Sequence, residues 1–314
     1  MRSIHINAGI GGLSQLLGTK VTAYQESDEY ASQVLKVRYN VPVHASLDDL
    51  PQCDMIIANL DGEVASKLVR RRPPYLFLQH RATFRKSDEC KGLLHSLVAE
   101  GYDVTWTMLS AANVGAPHRR MRWFCLAHLS NPKRPLRCLL DSVELPRNGT
   151  IVRGRYRQCK GPILKDHQLA LPIVLRHMKG KKCRGTLQRK RSIFWRWGTP
   201  RPCVTRACKN LTVRSMRDLP SQLRYAESTR QKYFCAAPEF LEWLMGFDIG
   251  FSNLEQDPVK FQGWNTEQAP RMAPDGYPWL KQRTRIISCE TVPQQAKKAY
   301  EVLRNRLKRV KQDV

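Results

Sequence analysis

Asn7-Ala8-Gly9-Ile10-Gly11-Gly12 is the first stretch of the chain whose residue types could do chemistry. Three glycines in four positions let the backbone reach φ > 0 and pass close to a ligand with no Cβ in the way. Ile4 to Ile6 reads as a strand entering the turn, and Leu13 to Leu17 begins a helical pattern leaving it. The N–H groups of such a helix would point back at the turn, which suits a nucleotide or another polar ligand. Glu26 closes a second apolar strand, Val21 to Gln25, where a carboxylate can accept hydrogen bonds from ribose hydroxyls. Its alternative is the cap region of the next helix, Glu29 to Arg38, and Asp28 suits that cap. Glycine turns of this kind also occur in ordinary loops, so the turn is weighed with what surrounds it.

The charge points to the partner. Fifty-three Lys+Arg against 27 Asp+Glu give a formal net charge of +26. A polyanion is the natural partner for such an excess, and nucleic acid is the commonest one. Residues 131–195 carry 17 Lys/Arg and three Asp/Glu, so more than half of the net charge lies in about a fifth of the chain. Arg153, Arg155, Lys181, Lys182, Arg189 and Arg191 lie in this stretch, interleaved with Tyr156, Phe194 and Trp195 and followed by Trp197. Aromatic rings among basic residues can stack on bases. The stretch reads as an irregular region facing nucleic acid, with a disordered basic linker as the alternative. The runs at Lys179–Lys182 and Arg189–Arg191 would also serve nuclear import.

The elements that would position these residues alternate along the first part of the chain. Asp54–Asn59 and Tyr75–Gln79 read as buried strands, and Val41–His44 as a short one. Glu89–Gly101 reads as an amphipathic helix. Val104–Leu109 and Arg122–Leu129 form a hairpin around Ala116-Pro117-His118-Arg119-Arg120. Such alternation predicts an α/β fold with a doubly wound, mostly parallel sheet. Helices are expected over Glu239–Met245, between Pro238 and Gly246, and over Pro293–Arg306. The expected organisation is an α/β domain over residues 1–130, a basic region over 131–270 and a returning C-terminal segment over 271–314. No apolar run approaches the roughly 20 residues of a membrane span. Ten scattered cysteines without a Cys-x-x-Cys spacing argue against a metal site or disulfide framework and for reduced, intracellular thiols.

Several of these pieces, in this order, resemble the DNA cytosine-5 methyltransferase family of phage and bacterial type. Asn7 to Gly12 is similar to the family's Asp-Leu-Phe-x-Gly-x-Gly-Gly turn for S-adenosylmethionine, and Glu26-Ser27-Asp28 to the acidic pair after its second strand. Gly115 to Arg122 resembles the Gly-Val-Pro-Gln-Arg-Arg-x-Arg segment, which places Arg120 and Arg122 at family site positions. Arg201-Pro202-Cys203-Val204-Thr205 matches the Arg-Pro-x-x-Thr motif that supports target recognition. Phe240 to Phe247 and Val292 to Ala296 match later motifs. The resemblance implies a class I S-adenosylmethionine-dependent fold with a smaller target-recognition region. It also implies a cofactor turn of Asn7, Gly9, Gly11, Gly12 and Glu26, and nucleic-acid contacts that include Arg201 and Thr205.

The departures fall on the chemistry. The family adds a cysteine thiolate to carbon 6 of cytosine while a glutamate stabilises the protonated N3. Here Gly62 falls at the cysteine position and Gln79 at the glutamate position. Asn7 replaces a phenylalanine that packs on the cofactor, and His5 stands where the family has Asp. Neither Cys53, at the wrong end of the fourth strand, nor Cys289 offers an evident replacement nucleophile. The expectation is a degenerate homologue with no intact catalytic group, retained to bind nucleic acid or to join a nucleoprotein assembly. DNA is the favoured partner, with RNA as the alternative, and S-adenosylmethionine binding is in doubt. The competing expectation is an active cytosine-5 methyltransferase with a rearranged or partner-completed site. A non-covalent amine or RNA methyltransferase ranks last, because Asn59-Leu60-Asp61-Gly62 lacks the prolines and aromatic of the usual turn. The compartment is left open among nuclear, organellar and viral settings.

Overall fold

In the computed structural model, residues 1–60, 64–129, 197, 219, 223, 236–264, 267–273 and 277–312 are described. They divide between two compact units. One takes the described residues of 1–113, 121–129 and 291–312, and the other those of 114–120 and 197–290.

The first unit is built on a seven-stranded sheet of β1 Arg2–Ile6, β2 Lys20–Gln25, β3 Val43–His44, β4 Met55–Asn59, β5 Tyr75–Arg81, β6 Tyr102–Ser110 and β7 Met121–Leu129. Its order is β3-β2-β1-β4-β5-β7-β6. Every neighbouring pair is parallel except those made by β7, which runs antiparallel to β5 and β6. The order reverses between β1 and β4, where an open α/β sheet leaves a crevice beyond its carboxyl ends.

Both faces of the sheet are apolar, which is why β4 and β5 read as continuous apolar runs rather than alternating ones. Ile4, Ile6, Ile56, Ala58, Leu76 and Leu78 face one core, packed against α2 Val64–Arg70 and α3 Asp88–Ala99 through Leu68, Leu93, Leu94 and Leu97. Met55, Ile57, Phe77, Phe124 and Leu126 face the other, covered by Leu13, Leu17 and the long helix α6 Pro293–Gln312. Leu97 and Leu303 are both fully buried, each contributing ~1.5–3 kcal/mol. α1 Glu29–Tyr39 begins where Asp28 accepts from the Ala31 N–H and ends at Asn40, which is left-handed with φ 49°.

One expected helix is not there. Leu13 to Leu17 makes only turns, with Ser14 and Gln15 both donating to the Gly11 carbonyl. Gly18 follows at φ 73°, so too few residues separate the glycine turn from this stop for helix propagation to offset nucleation. The first strand therefore passes through turns alone into β2, and the glycine turn opens no helix of its own.

In the second unit, α4 Pro238–Met245 opens with proline at its first position and stops at Gly246, φ 74°. It packs with α5 Leu280–Cys289. The fully buried Glu242 carboxylate accepts from Gly250 N (2.6 Å), Ser252 N (2.8 Å) and Ser252 Oγ (2.6 Å). Arg283, 2% exposed, donates to Glu239 Oε1 at 2.6 Å and lies 3.6 Å from Glu242. Burial pushes the Glu242 carboxyl above its usual range, opposed by Arg283 and by the Ser252 and Gly250 donors. No described helix is long and apolar enough to cross a membrane.

Candidate functional site at the carboxyl edge of the sheet

The glycine turn forms. Ala8 N–H donates to the Gln25 carbonyl (3.0 Å) and Gly11 N–H to the Ala8 carbonyl (2.8 Å). Gly9 and Gly11 take φ 57° and 90°, and a Cβ on Gly11 would stand 2.7 Å from the Tyr39 hydroxyl. Glycine is required there on both counts. Glu26, half-buried, locks the turn: Oε2 accepts from Gly9 N at 2.6 Å and Oε1 from Asp28 N at 2.8 Å. Burial raises its pKa, while these backbone donors pull it down. A carboxylate has about four lone-pair sites, so Glu26 keeps acceptor capacity beyond its backbone donors Gly9, Ser27 and Asp28.

Asn7 does something its sequence position does not reveal. It sits at φ 50°, a conformation asparagine tolerates better than most residues. Its N–H donates to Gln25 Oε1 (3.0 Å) and its Nδ2 to the Asn59 carbonyl (3.1 Å), while Asn59 Nδ2 donates back to the Asn7 carbonyl (2.8 Å). This reciprocal amide pair ties the ends of β1 and β4 together at the point where the strand order reverses. Below it, His5 is fully buried, with Nδ1 3.0 Å from Ser14 Oγ and the ring 6.0 Å from that of Tyr24. Its Nε2 has no hydrogen-bond partner. Burial pulls the imidazole pKa down to about 3, so the ring is neutral at pH 7.

Gln79 ends the apolar part of β5 at 5% exposure. Its Oε1 accepts from the Thr291 hydroxyl at 3.1 Å, and its carbonyl accepts from Leu60 N at 2.9 Å. His80 follows, half-buried and stacked on Phe84 with 4.2 Å between centroids. Burial lowers the His80 pKa, with Arg81 and Arg122 acting in the same direction. Arg122, half-buried, lies opposite Arg81 across the β5–β7 ladder.

The structure thus brings Asn7, Gly9, Gly11, Gly12, Glu26 and Gln79 to the carboxyl edge of one sheet. Arg120 belongs to the second unit, where it is buried and donates from Nη2 to the Ser288 carbonyl at 2.7 Å. Trp197 corrects the sequence expectation. Rather than standing ready for a base, it is 6% exposed, edge-on to Phe240 at 5.3 Å and covered by Arg271. Packing inside the second unit occupies that ring. Cys53 is half-buried just before β4, and burial raises its thiol pKa; Cys289 is exposed. Gly62 lies outside the described residues, as do Arg153, Arg155, Lys181, Lys182, Arg189, Arg191, Arg201 and Thr205.

The family of C-5 cytosine-specific DNA methylases matches residues 63–154, a span that includes Gln79, Arg120 and Arg122. The chain resembles the cytosine-5 methyltransferase family. The Dnmt2 methyltransferase of S. pombe aligns over 98% of this chain and 99% of its own, at 14% identity and a TM-score of 0.52. The DNMT2 of Spodoptera frugiperda aligns over 96% of this chain and 99% of its own, at 11% identity and a TM-score of 0.51. A prophage-encoded E. coli DNA modification methyltransferase matches at 16% identity and a TM-score of 0.35, spanning 41% of this chain and 47% of that one. No curated protein matches the chain in sequence. The two full-length likenesses identify the class I S-adenosylmethionine-dependent methyltransferase fold expected from the sequence.

Proposed function

We propose that this chain is a methyltransferase-fold protein that no longer methylates cytosine and acts by binding nucleic acid, alone or within a nucleoprotein assembly. One observation carries the reading. At the place where the resemblance puts a glutamate, Gln79 presents a neutral amide whose oxygen accepts from Thr291. An amide in that position cannot carry the negative charge that would stabilise a protonated cytosine N3. The sequence adds that Gly62, at the thiol position, offers no nucleophile. Neither substitution alone accounts for the loss as fully as the two together.

The cofactor turn supports the same reading. Gly9 and Gly11 preserve its backbone, and Glu26 preserves a ribose acceptor. Asn7, however, supplies an amide tied to Asn59 where the resemblance places an aromatic ring against the cofactor. His5 adds a neutral imidazole where the family has a carboxylate. The residues present do not fit S-adenosylmethionine. We expect its dissociation constant to be weaker than about 1 mM, a binding free energy of no more than about 4 kcal/mol.

The net charge of +26 supports nucleic acid as the partner, with Arg153, Arg155, Lys181, Lys182, Arg189, Arg191, Arg201 and Thr205 as the proposed contacts. Filter binding of the full chain to duplex DNA and to single-stranded RNA across a salt series tests this. A surface neutralising six to ten phosphates loses about 10³–10⁵ in affinity between 50 and 200 mM salt. Affinity for neither polymer at low salt would refute the reading.

A further inference from the structure

The opposite edge of the first unit's sheet holds a feature that the methyltransferase resemblance leaves unused. Here the amino ends of the parallel strands, the end of β7 and the middle turns of α6 line a cleft of about 410 Å³. Its apolar lining comes from Leu17, Leu126 and Leu307, all buried at 8% exposure or less. The remaining walls are aromatic and cationic. Tyr75, first residue of β5, pairs across the ladder with His128, their ring centroids 4.6 Å apart. Tyr300 stands edge-on to Phe77 at 5.4 Å, and the Arg304 guanidinium lies 5.9 Å from the Tyr300 ring centroid. Burial raises the Tyr300 phenol pKa; Arg304 lowers it and Tyr75 raises it, so the two phenols and the guanidinium share one environment.

Each feature has an energetic consequence. The volume lies in the usual range of small-molecule sites, about 300–1,000 Å³, and mixes an apolar lining with few convergent polar groups as such sites do. Tyr75, His128 and Tyr300 offer faces and edges to a flat ring. Arg304 lines the cleft and is exposed on α6, so it presents a cation at the mouth. A guanidinium there suits a carboxylate or a phosphate. Tyr75 and Gln79 are four residues apart on β5, about 13 Å along the strand. The cleft is therefore separate from the glycine turn and from Gln79, and stands or falls without the functional reading above.

We propose that this cleft binds a planar aromatic anion about the size of a nucleoside monophosphate, its ring among Tyr75, His128 and Tyr300 and its negative group on Arg304. A free mononucleotide and an aromatic carboxylate share that chemistry, and the choice of probes separates them.

The test is isothermal titration calorimetry of the full chain with adenosine 5′-monophosphate, adenosine and 2-naphthoate. The first or the last should bind in the micromolar to millimolar range, and adenosine about tenfold more weakly than its monophosphate. Binding of the monophosphate alone assigns a nucleotide, and binding of naphthoate alone assigns an aromatic carboxylate. Arg304→Gln should weaken the bound anion about tenfold, the loss of one charge-assisted contact at an exposed position. Thr19→Trp, which fills the cleft from its rim, should abolish binding. Asp88→Asn, exposed on α3 against the other face of the sheet, should leave it unchanged. The proposal is overturned if neither anion binds at millimolar concentration, or if binding is unaltered by Arg304→Gln. Because Arg304 is exposed, that arm decides the matter even if Thr19→Trp does not fold.

Discussion

His5 makes the floor of the glycine turn sensitive to acid, and the size of the effect follows from its burial. The imidazole is fully buried, and its pKa falls from an ordinary 6.5 to about 3. The unfolded chain therefore binds a proton between those limits and the folded chain does not, so stability rises with pH across the window and is lost as pH falls. At pH 5 the unfolded imidazole is mostly protonated, which costs the fold ~2 kcal/mol relative to pH 7; by pH 3 the loss reaches ~4 kcal/mol. Tyr24 and Ser14 beside the ring carry no charge in this range, Tyr24 because burial raises its phenol pKa to about 12. Glu26 acts in the opposite sense. Its raised pKa makes it favour the fold below the ordinary carboxylate range, and that contribution fades as pH rises through its folded value. His5→Asn removes the titration while keeping a polar atom near the position of Nδ1 toward Ser14. Urea unfolding of wild type and His5→Asn at pH 7 and pH 5 checks the argument. The variant should be less stable at pH 7 because it leaves space in the core, yet lose ~2 kcal/mol less on acidification. Equal losses in the two proteins would refute the assignment to His5.

Thr291→Val removes the donor to Gln79 and leaves a buried amide oxygen without it, so urea unfolding should show a loss of ~1–3 kcal/mol, with affinity for nucleic acid unchanged. Glu242→Ala strands Gly250 N, Ser252 N and part of the Arg283 charge in a buried setting. Breaking such a network costs ~3–5 kcal/mol, read as a lowered thermal midpoint.

Sequence patterns revealed the sheet but only part of what its carboxyl edge has become. Met55–Asn59 and Tyr75–Arg81 are covered on both faces, so their continuous apolar runs identified them without a partner in view. Asp28 and the Pro238–Gly246 pair marked helix ends because caps act locally. The helix expected after Gly12 failed because Gly18 stops the chain at φ 73°. α5 escaped notice because it starts at Trp279, left-handed at φ 54° and without a capping side chain. Gln79 was identified as a departure from the family, but its bond to Thr291 joins residues 212 positions apart. The Asn7–Asn59 pair spans 52 positions. No local pattern encodes such meetings; they follow from strand order.

Methyl transfer is the activity that decides whether the site still works. The full chain is incubated with tritiated S-adenosylmethionine and a mixture of duplex DNA, single-stranded DNA and RNA, beside a boiled control. No incorporation into any of the polymers is expected, and none after Gly62→Cys and Gln79→Glu together, because the Asn7 amide, tied to Asn59, still stands where the resemblance places a ring against the cofactor. Tritium in the double variant alone would mean that the cofactor turn works and only the two catalytic groups were lost. Tritium transferred by the unaltered chain would contradict the account outright.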